Sequence, residues 1–272
     1  MLRVLTRCDP PPSVSAVDTA SYLRSIKDDA ATMLAIGRLT PLDTSVPSCP
    51  EWTLHDLLVH TGIVHRHKTE VVRGGWLDDS PPEADGPEGR DVLEWFEEGV
   101  EEMLAVFGSA DLTQPSWTWC GHDHSSAWWV RRMAHETAIH RADAELTVGR
   151  HPTLDAELAL DGVDEILDEM MIGGPSWGNV TEGDRTVVLV AGGRRWSLRT
   201  ATFVGTSPNT GTEYALETLV HDATTTAHAT ITTAPGELDL WLWGRGDLPA
   251  GAVVGDTALA GHVRRLAAEA TQ

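Results

Sequence analysis

Between Asp18 and Thr40 the apolar positions Tyr22, Leu23, Ile26, Met33, Leu34, Ile36 and Leu39 recur at helical spacing, with Asp18 or Thr19 available as a cap. A first helix is expected there. Pro41, Pro47 and Pro50 then hold an extended connector. Thr53, followed three residues on by Asp56, resembles a capping box, so a second helix should start there and run to about Val72, before Gly74-Gly75. Residues 76–90, rich in Pro, Gly and acid, read as a long exposed loop. From Asp91 to Phe107 the positions Val92, Leu93, Trp95, Phe96, Val100, Met103, Leu104 and Phe107 form a strongly amphipathic third helix. An irregular stretch, 108–124, carries Trp117, Trp119, Cys120, His122 and His124, after which Ser125 can cap a fourth helix reaching about Val148 and stopping at Gly149.

Beyond Gly149 the pattern changes. One more helix is expected from Leu154 to Met171, ended by Gly173-Gly174-Pro175. Strand-like runs follow at Thr186 to Val190, Arg195 to Phe203, Glu213 to Val220, Ala223 to Thr233 and Glu237 to Trp243, and a last helix covers Asp256 to Ala270. In the second run Trp196, Leu198 and Thr200 alternate with Ser197, Arg199 and Ala201, as a half-buried strand requires. The fold class is therefore multi-domain: a leader at 1–17, a four-helix bundle at 18–150 and a smaller α+β domain at 151–272.

Composition narrows the function. A chain of 272 residues can bury roughly 70–75% of its unfolded surface without staples. The three cysteines, Cys8, Cys49 and Cys120, are widely spaced and form no Cys-x-x-Cys pair, which fits a reducing cytoplasm. Cys49 reads as a small buried thiol or as a nucleophile. With 41 acidic against 20 basic residues the formal charge is −21. Such a field repels nucleic acid and anionic membranes. No apolar run approaches the ~20 residues of a membrane span, and the apolar patch before Pro10-Pro11-Pro12 is too short for a secretion signal, so the leader is expected to be flexible.

The candidate chemistry lies on the second and fourth helices. Glu136 and His140, four residues apart with no intervening Gly or Pro, project from one helix face, so a carboxylate and an imidazole are placed to share a metal ion. His60 supplies a third ligand if its helix packs beside the fourth. Three ligands leave a coordination position open, the usual mark of a catalytic site. His135 and His140 are five apart and point away from each other, which excludes the His-Glu-x-x-His arrangement of metalloproteases. Asp143 is either a partner that orients His140 or an exposed acid at the helix end. Arg141 is expected to pair with Asp143 or Glu145 at the surface. His55, His65 and His67 share the helix of His60 and are expected to face solvent, Trp128 and Trp129 to pack in the core, and His122 and His124 to be loop residues within possible reach of the open position.

Cys49-Pro50-Glu51-Trp52-Thr53 leading to Asp56-Leu57 and His60, and Arg132 through His135-Glu136, His140-Arg141 and Asp143-Ala144-Glu145, resemble the mycothiol-dependent maleylpyruvate isomerase family. Asp161-Gly162-Val163-Asp164-Glu165 and Leu240-Trp241-Leu242-Trp243-Gly244-Arg245 resemble its C-terminal half, so that the likeness runs over about residues 18 to 265. The resemblance implies a DinB-like four-helix bundle followed by a sterol-carrier-like α+β domain. It implies a divalent metal, usually zinc, on His60, Glu136 and His140, and mycothiol as the thiol cosubstrate. It also implies that Arg245 stands near the active site, holding a substrate carboxylate or the polar groups of the thiol with its planar fork; a strand-end Arg in solvent is the other reading.

In an isomerase of this kind the thiolate adds to an electron-poor double bond, the bond rotates once single, and the thiolate leaves; in an S-transferase the adduct, or the product of displacing a leaving group, is released. The expected partners are mycothiol and a small electrophile, with no nucleic acid and no membrane, and the expected state is a monomer or weak homodimer. A metal hydrolase using water in place of the thiol, and a non-catalytic metal- or small-molecule-binding protein, are the competing classes.

Overall fold

The computed structural model describes residues 17–75, 80–120, 123–223 and 226–271. Its first helix, α1, spans Thr19–Leu39, and the Asp18 carboxylate caps it by accepting the backbone N–H of Ser21 at 2.7 Å. The connector that follows is extended, as expected from its prolines, and it pairs with itself: β1 (Ser45–Val46) and β2 (Cys49–Thr53) form a short antiparallel ribbon. The second helix, α2, spans Leu54–Gly74. Thr53 accepts the N–H of Asp56 at 3.3 Å while the Asp56 carboxylate accepts the N–H of Thr53 at 2.9 Å, so the capping box forms as read. Gly75 ends the helix in the left-handed region, with φ 60°.

The Asp91 side chain accepts the N–H groups of Leu93 and Glu94 and starts α3, Val92–Ser109. The fourth helix, α4, covers Ser126–Thr147, but Ser125 makes no side-chain cap. The N–H groups of Ser126 and Ala127 donate instead to the carbonyls of Gln114 and Leu112, at 3.0 and 2.9 Å. The preceding loop folds back onto the helix start and satisfies the donors a cap would have taken.

These four helices belong to one compact unit, Val17–Thr118 with Asp123–Thr153. Here α4 packs against α1 and α2, and α2 against α3. Met33, Leu34, Leu54, Leu57, Leu58, Trp95, Phe96 and Val100 form the continuous core. Gly62 lets α2 approach α3 closely, because a Cβ there would fall inside the Trp95 ring. The helix α4 lacks a single apolar stripe and is nevertheless buried on nearly every side. Its buried polar groups therefore need partners inside the protein.

The second unit takes in Trp119 and Cys120 and the chain from Leu154 onward. Its first helix, α5, is regular only over Ala156–Glu165 and continues as a π-helical turn, Ile166–Met171, where a single α-helix was expected. The sheet comprises β3 (Gly178–Ala191), β4 (Arg194–Thr206), β5 (Glu213–His221), β6 (Ala229–Thr232) and β7 (Val253–Gly255), in the order β5-β4-β3-β6-β7. Gly192 and Gly193, with φ 55° and 80°, make the tight turn between β3 and β4. The run expected as a strand at Glu237 to Trp243 is a helix, α6, spanning Pro235–Trp243. Leu238 through Trp243 are all buried, so the run has no polar face from which a period can be read. Pro235 in its first turn and Glu237, which accepts the N–H of Ala234 at 3.4 Å, are the start signals that decide for helix. The last helix, α7, spans Thr257–Thr271. A helical bundle followed by an α+β domain is thus the fold, and no described helix is long and apolar enough to cross a membrane.

Candidate metal centre between the second and fourth helices

Packing α2 against α4 brings His60, Glu136 and His140 together. Both imidazoles direct Nε2 at one carboxylate oxygen, Glu136 Oε1, at 3.6 Å from His60 and 3.2 Å from His140. One potential ligand atom from each residue lies within 4.8 Å of the other two. The other carboxylate oxygen, Oε2, accepts from Arg132 Nη2 at 2.6 Å. His140 is oriented from behind: its Nδ1 meets Asp143 Oδ2 at 2.9 Å, and Asp143 Oδ1 accepts from Ser48 Oγ at 2.5 Å. Asp143 is fully buried. Of the two roles open to it in the sequence, orienting His140 is the one its position supports.

Trp52, carried by β2, covers the pair of imidazoles, its ring centroid 4.7 Å from that of His60 and 6.1 Å from that of His140. The two imidazole rings meet edge to face at 5.0 Å. His140 is buried, whereas 39% of the His60 side chain is exposed, so the triad is reached from the His60 side.

The electrostatics follow from this arrangement. Burial alone would raise the Glu136 pKa, but hydrogen bonds from His140 and His60 and the Arg132 charge outweigh it and hold the carboxylate well below its ordinary range. Burial opposes a charge on His140, yet its hydrogen bonds to Asp143 and Glu136 dominate and raise it to about 9. The donor set of two imidazole nitrogens and one carboxylate oxygen suits a divalent ion such as zinc and leaves a position for a further ligand. Asp143 at Nδ1 would fix the tautomer that presents the Nε2 lone pair once an ion took the place of the Nε2 proton, the usual second contact of a ligating histidine.

Other expectations need correction. His65 is not solvent-facing but wholly buried, with Nε2 2.9 Å from Thr137 Oγ1, and burial holds its pKa at about 3. His67 is also buried, its Nε2 2.9 Å from the Pro81 carbonyl. The helix α2 is flanked by α3 and α4 on different sides, which leaves less of it in solvent than an amphipathic surface helix would show. His55 is exposed as expected. Arg141 is buried and not a surface group: its Nε donates to Asp29 at 3.0 Å, Nη2 to the Thr153 carbonyl at 2.8 Å, and Nη1 pairs with Glu145. Trp128 and Trp129 are core residues.

His124 is exposed, with Nδ1 3.0 Å from Thr118 Oγ1, and His122, Cys8 and 76–79 of the acidic loop lie outside the described residues. Cys49 is half-buried and Cys120 buried. Arg245 belongs to the α+β unit, directly after α6, where its Nη1 donates to the Trp243 carbonyl at 2.5 Å.

Sequence reasoning passed over Lys68. It lies two turns beyond His60 on α2, at the i+8 position, and a count of i+4 steps from His60 would have found it.

The chain matches the mycothiol maleylpyruvate isomerase N-terminal domain over residues 23–145 and the C-terminal domain of the same family over 157–264. No curated protein matches it. The crystal structure of the mycothiol-dependent maleylpyruvate isomerase shares its fold at 13% identity and a TM-score of 0.55, and that of a point mutant of that enzyme at 12% and 0.56. Each alignment covers 89% of this chain and 94% of the other. With both of its halves matched to the domains of one family, the chain belongs to the mycothiol-dependent maleylpyruvate isomerase family.

Proposed function

We propose that the protein is a divalent-metal, mycothiol-dependent enzyme that adds or transfers a thiol to a small electrophile, as a maleylpyruvate-isomerase-like cis-trans isomerase or a mycothiol S-transferase. The observation that carries this reading is the convergence of His60 Nε2, His140 Nε2 and Glu136 Oε1 in a bundle that matches this family. His60, Glu136 and His140 would hold the ion, read here as zinc. An ion there lowers the pKa of a coordinated thiol and makes thiolate available near neutral pH.

The residues around the triad have separate tasks. Asp143 keeps His140 in the tautomer that donates its Nε2 lone pair, and Ser48 holds Asp143 in place. Arg132 fixes Glu136 by its second oxygen and leaves Oε1 turned to the imidazoles. Trp52 shields one side of the imidazole pair from water. Arg245, assigned through the family motif, binds the anionic groups of the substrate or the polar groups of mycothiol with its guanidinium fork. The protein is read as cytoplasmic, acting as a monomer or weak homodimer.

The test is metal content together with thiol-dependent turnover of candidate electrophiles. Glu136→Gln and His140→Ala are expected to purify folded, with less than about a tenth of the wild-type metal and no thiol-dependent activity, a loss at least as large as that of removing an outer-shell partner of a metal site. Arg245→Ala is expected to keep its metal and raise KM. An active, metal-free His140→Ala protein would end the proposal.

A further inference from the structure

Lys68 stands at the far end of the same stripe as the triad. On α2 the i+4 steps run His60, Val64, Lys68; on α4 they run His140, Glu136, Arg132, and Trp129 follows three residues earlier. The two helices pass in opposite directions, since His60 meets His140 while Lys68 Nζ lies 4.4 Å from the Trp129 ring centroid. Eight residues of helix separate His60 from Lys68, about 12 Å along the axis, and the Cα–Cβ bond of Lys68 tilts back toward the His60 end. Of the acidic groups, Glu136 exerts the strongest pull on the Lys68 ammonium.

Among the described residues that ammonium has no counter-ion. Nζ lies 4.4 Å from the Trp129 ring centroid and 5.5 Å from that of Trp117, and it donates to His67 Nδ1 at 2.8 Å. His67 can accept there because its Nε2 faces the Pro81 carbonyl and carries the proton. Among the described residues no carboxylate oxygen lies within 4 Å of Nζ, and Glu136 has committed Oε1 to the imidazoles and Oε2 to Arg132. Burial depresses the Lys68 pKa to about 8, as an uncompensated cation in this position requires. Lys68 is only partly covered.

We propose that Lys68 is the specificity-determining anchor for an anionic group of the electrophile, at the far end of the α2–α4 stripe that carries the triad. This rests on the thiol-addition reading above and adds to it the residue by which this chain selects charged over neutral electrophiles. An ammonium with one of three donors used supplies the missing half of a charge-assisted hydrogen bond to a carboxylate.

The test is calorimetric binding of maleate and of its neutral diamide to the zinc-loaded full-length protein, with Lys68→Met and Lys68→Arg beside the wild type. Maleate is expected to bind Lys68→Met about tenfold or more weakly, the loss typical of a charge-assisted hydrogen bond, while Lys68→Arg keeps most of the affinity and the diamide is indifferent to all three. Mycothiol titrated into the same proteins should bind alike. Maleate binding that is equal in wild type and Lys68→Met, or a wild type that does not prefer maleate to the diamide, overturns the proposal. A protein that binds maleate through Lys68 but never binds mycothiol would instead overturn the thiol-dependent reading.

Discussion

Asp143 is the residue on which the candidate centre leans most without being one of its proposed ligands. It is fully buried, and both its oxygens are engaged, one by His140 and one by Ser48. Replacing it by Asn keeps the shape but removes the charge that makes His140 a strong donor. Metal affinity of Asp143→Asn is expected to fall about 10- to 100-fold with the fold retained, read by competition with a chelator; an unchanged affinity would show that the contact is only structural. At this scale the sequence was informative where helical spacing alone decides neighbours, as for Glu136 and His140, four apart on α4. It failed for His65 and Arg141. Their burial depends on which helices pack on either side of α2 and α4, and no local period encodes that.

Among elements, α4 carries the centre and α2 completes it. A helix as polar as α4 can be buried because its charges are paired inside: Arg132 with Glu136, His140 with Asp143, and Arg141 with Asp29 and Glu145. Its neighbour α2 is held in position partly by Gly62, whose missing side chain makes room for Trp95 of α3. Gly62→Ala must push the indole or the helix aside, and is expected to cost about 1–3 kcal/mol in chemical denaturation. A change below about 0.5 kcal/mol would mean that the α2–α3 contact yields freely. The helices of the bundle were readable because caps such as Asp18 and Thr53 mark their starts and α3 shows a clear apolar stripe. The helix α6 was not, since its apolar run is buried throughout and only Pro235 and Glu237 before it distinguish helix from strand.

For the whole molecule, the formal charge of −21 sets the background against which the centre works. A strongly negative surface disfavours anionic ligands at long range. Arg132 and Lys68 oppose that field locally, within reach of Glu136. Both halves of the chain match one family, and the distinctive chemistry of that family as its name states it is dependence on mycothiol. On the proposed function the thiol binds where His60, Glu136 and His140 converge. The most direct test is calorimetric titration of mycothiol into the zinc-loaded protein and into the same protein stripped by chelator. Binding that appears only with zinc is the predicted result; binding to neither form, or equally to both, would contradict the account.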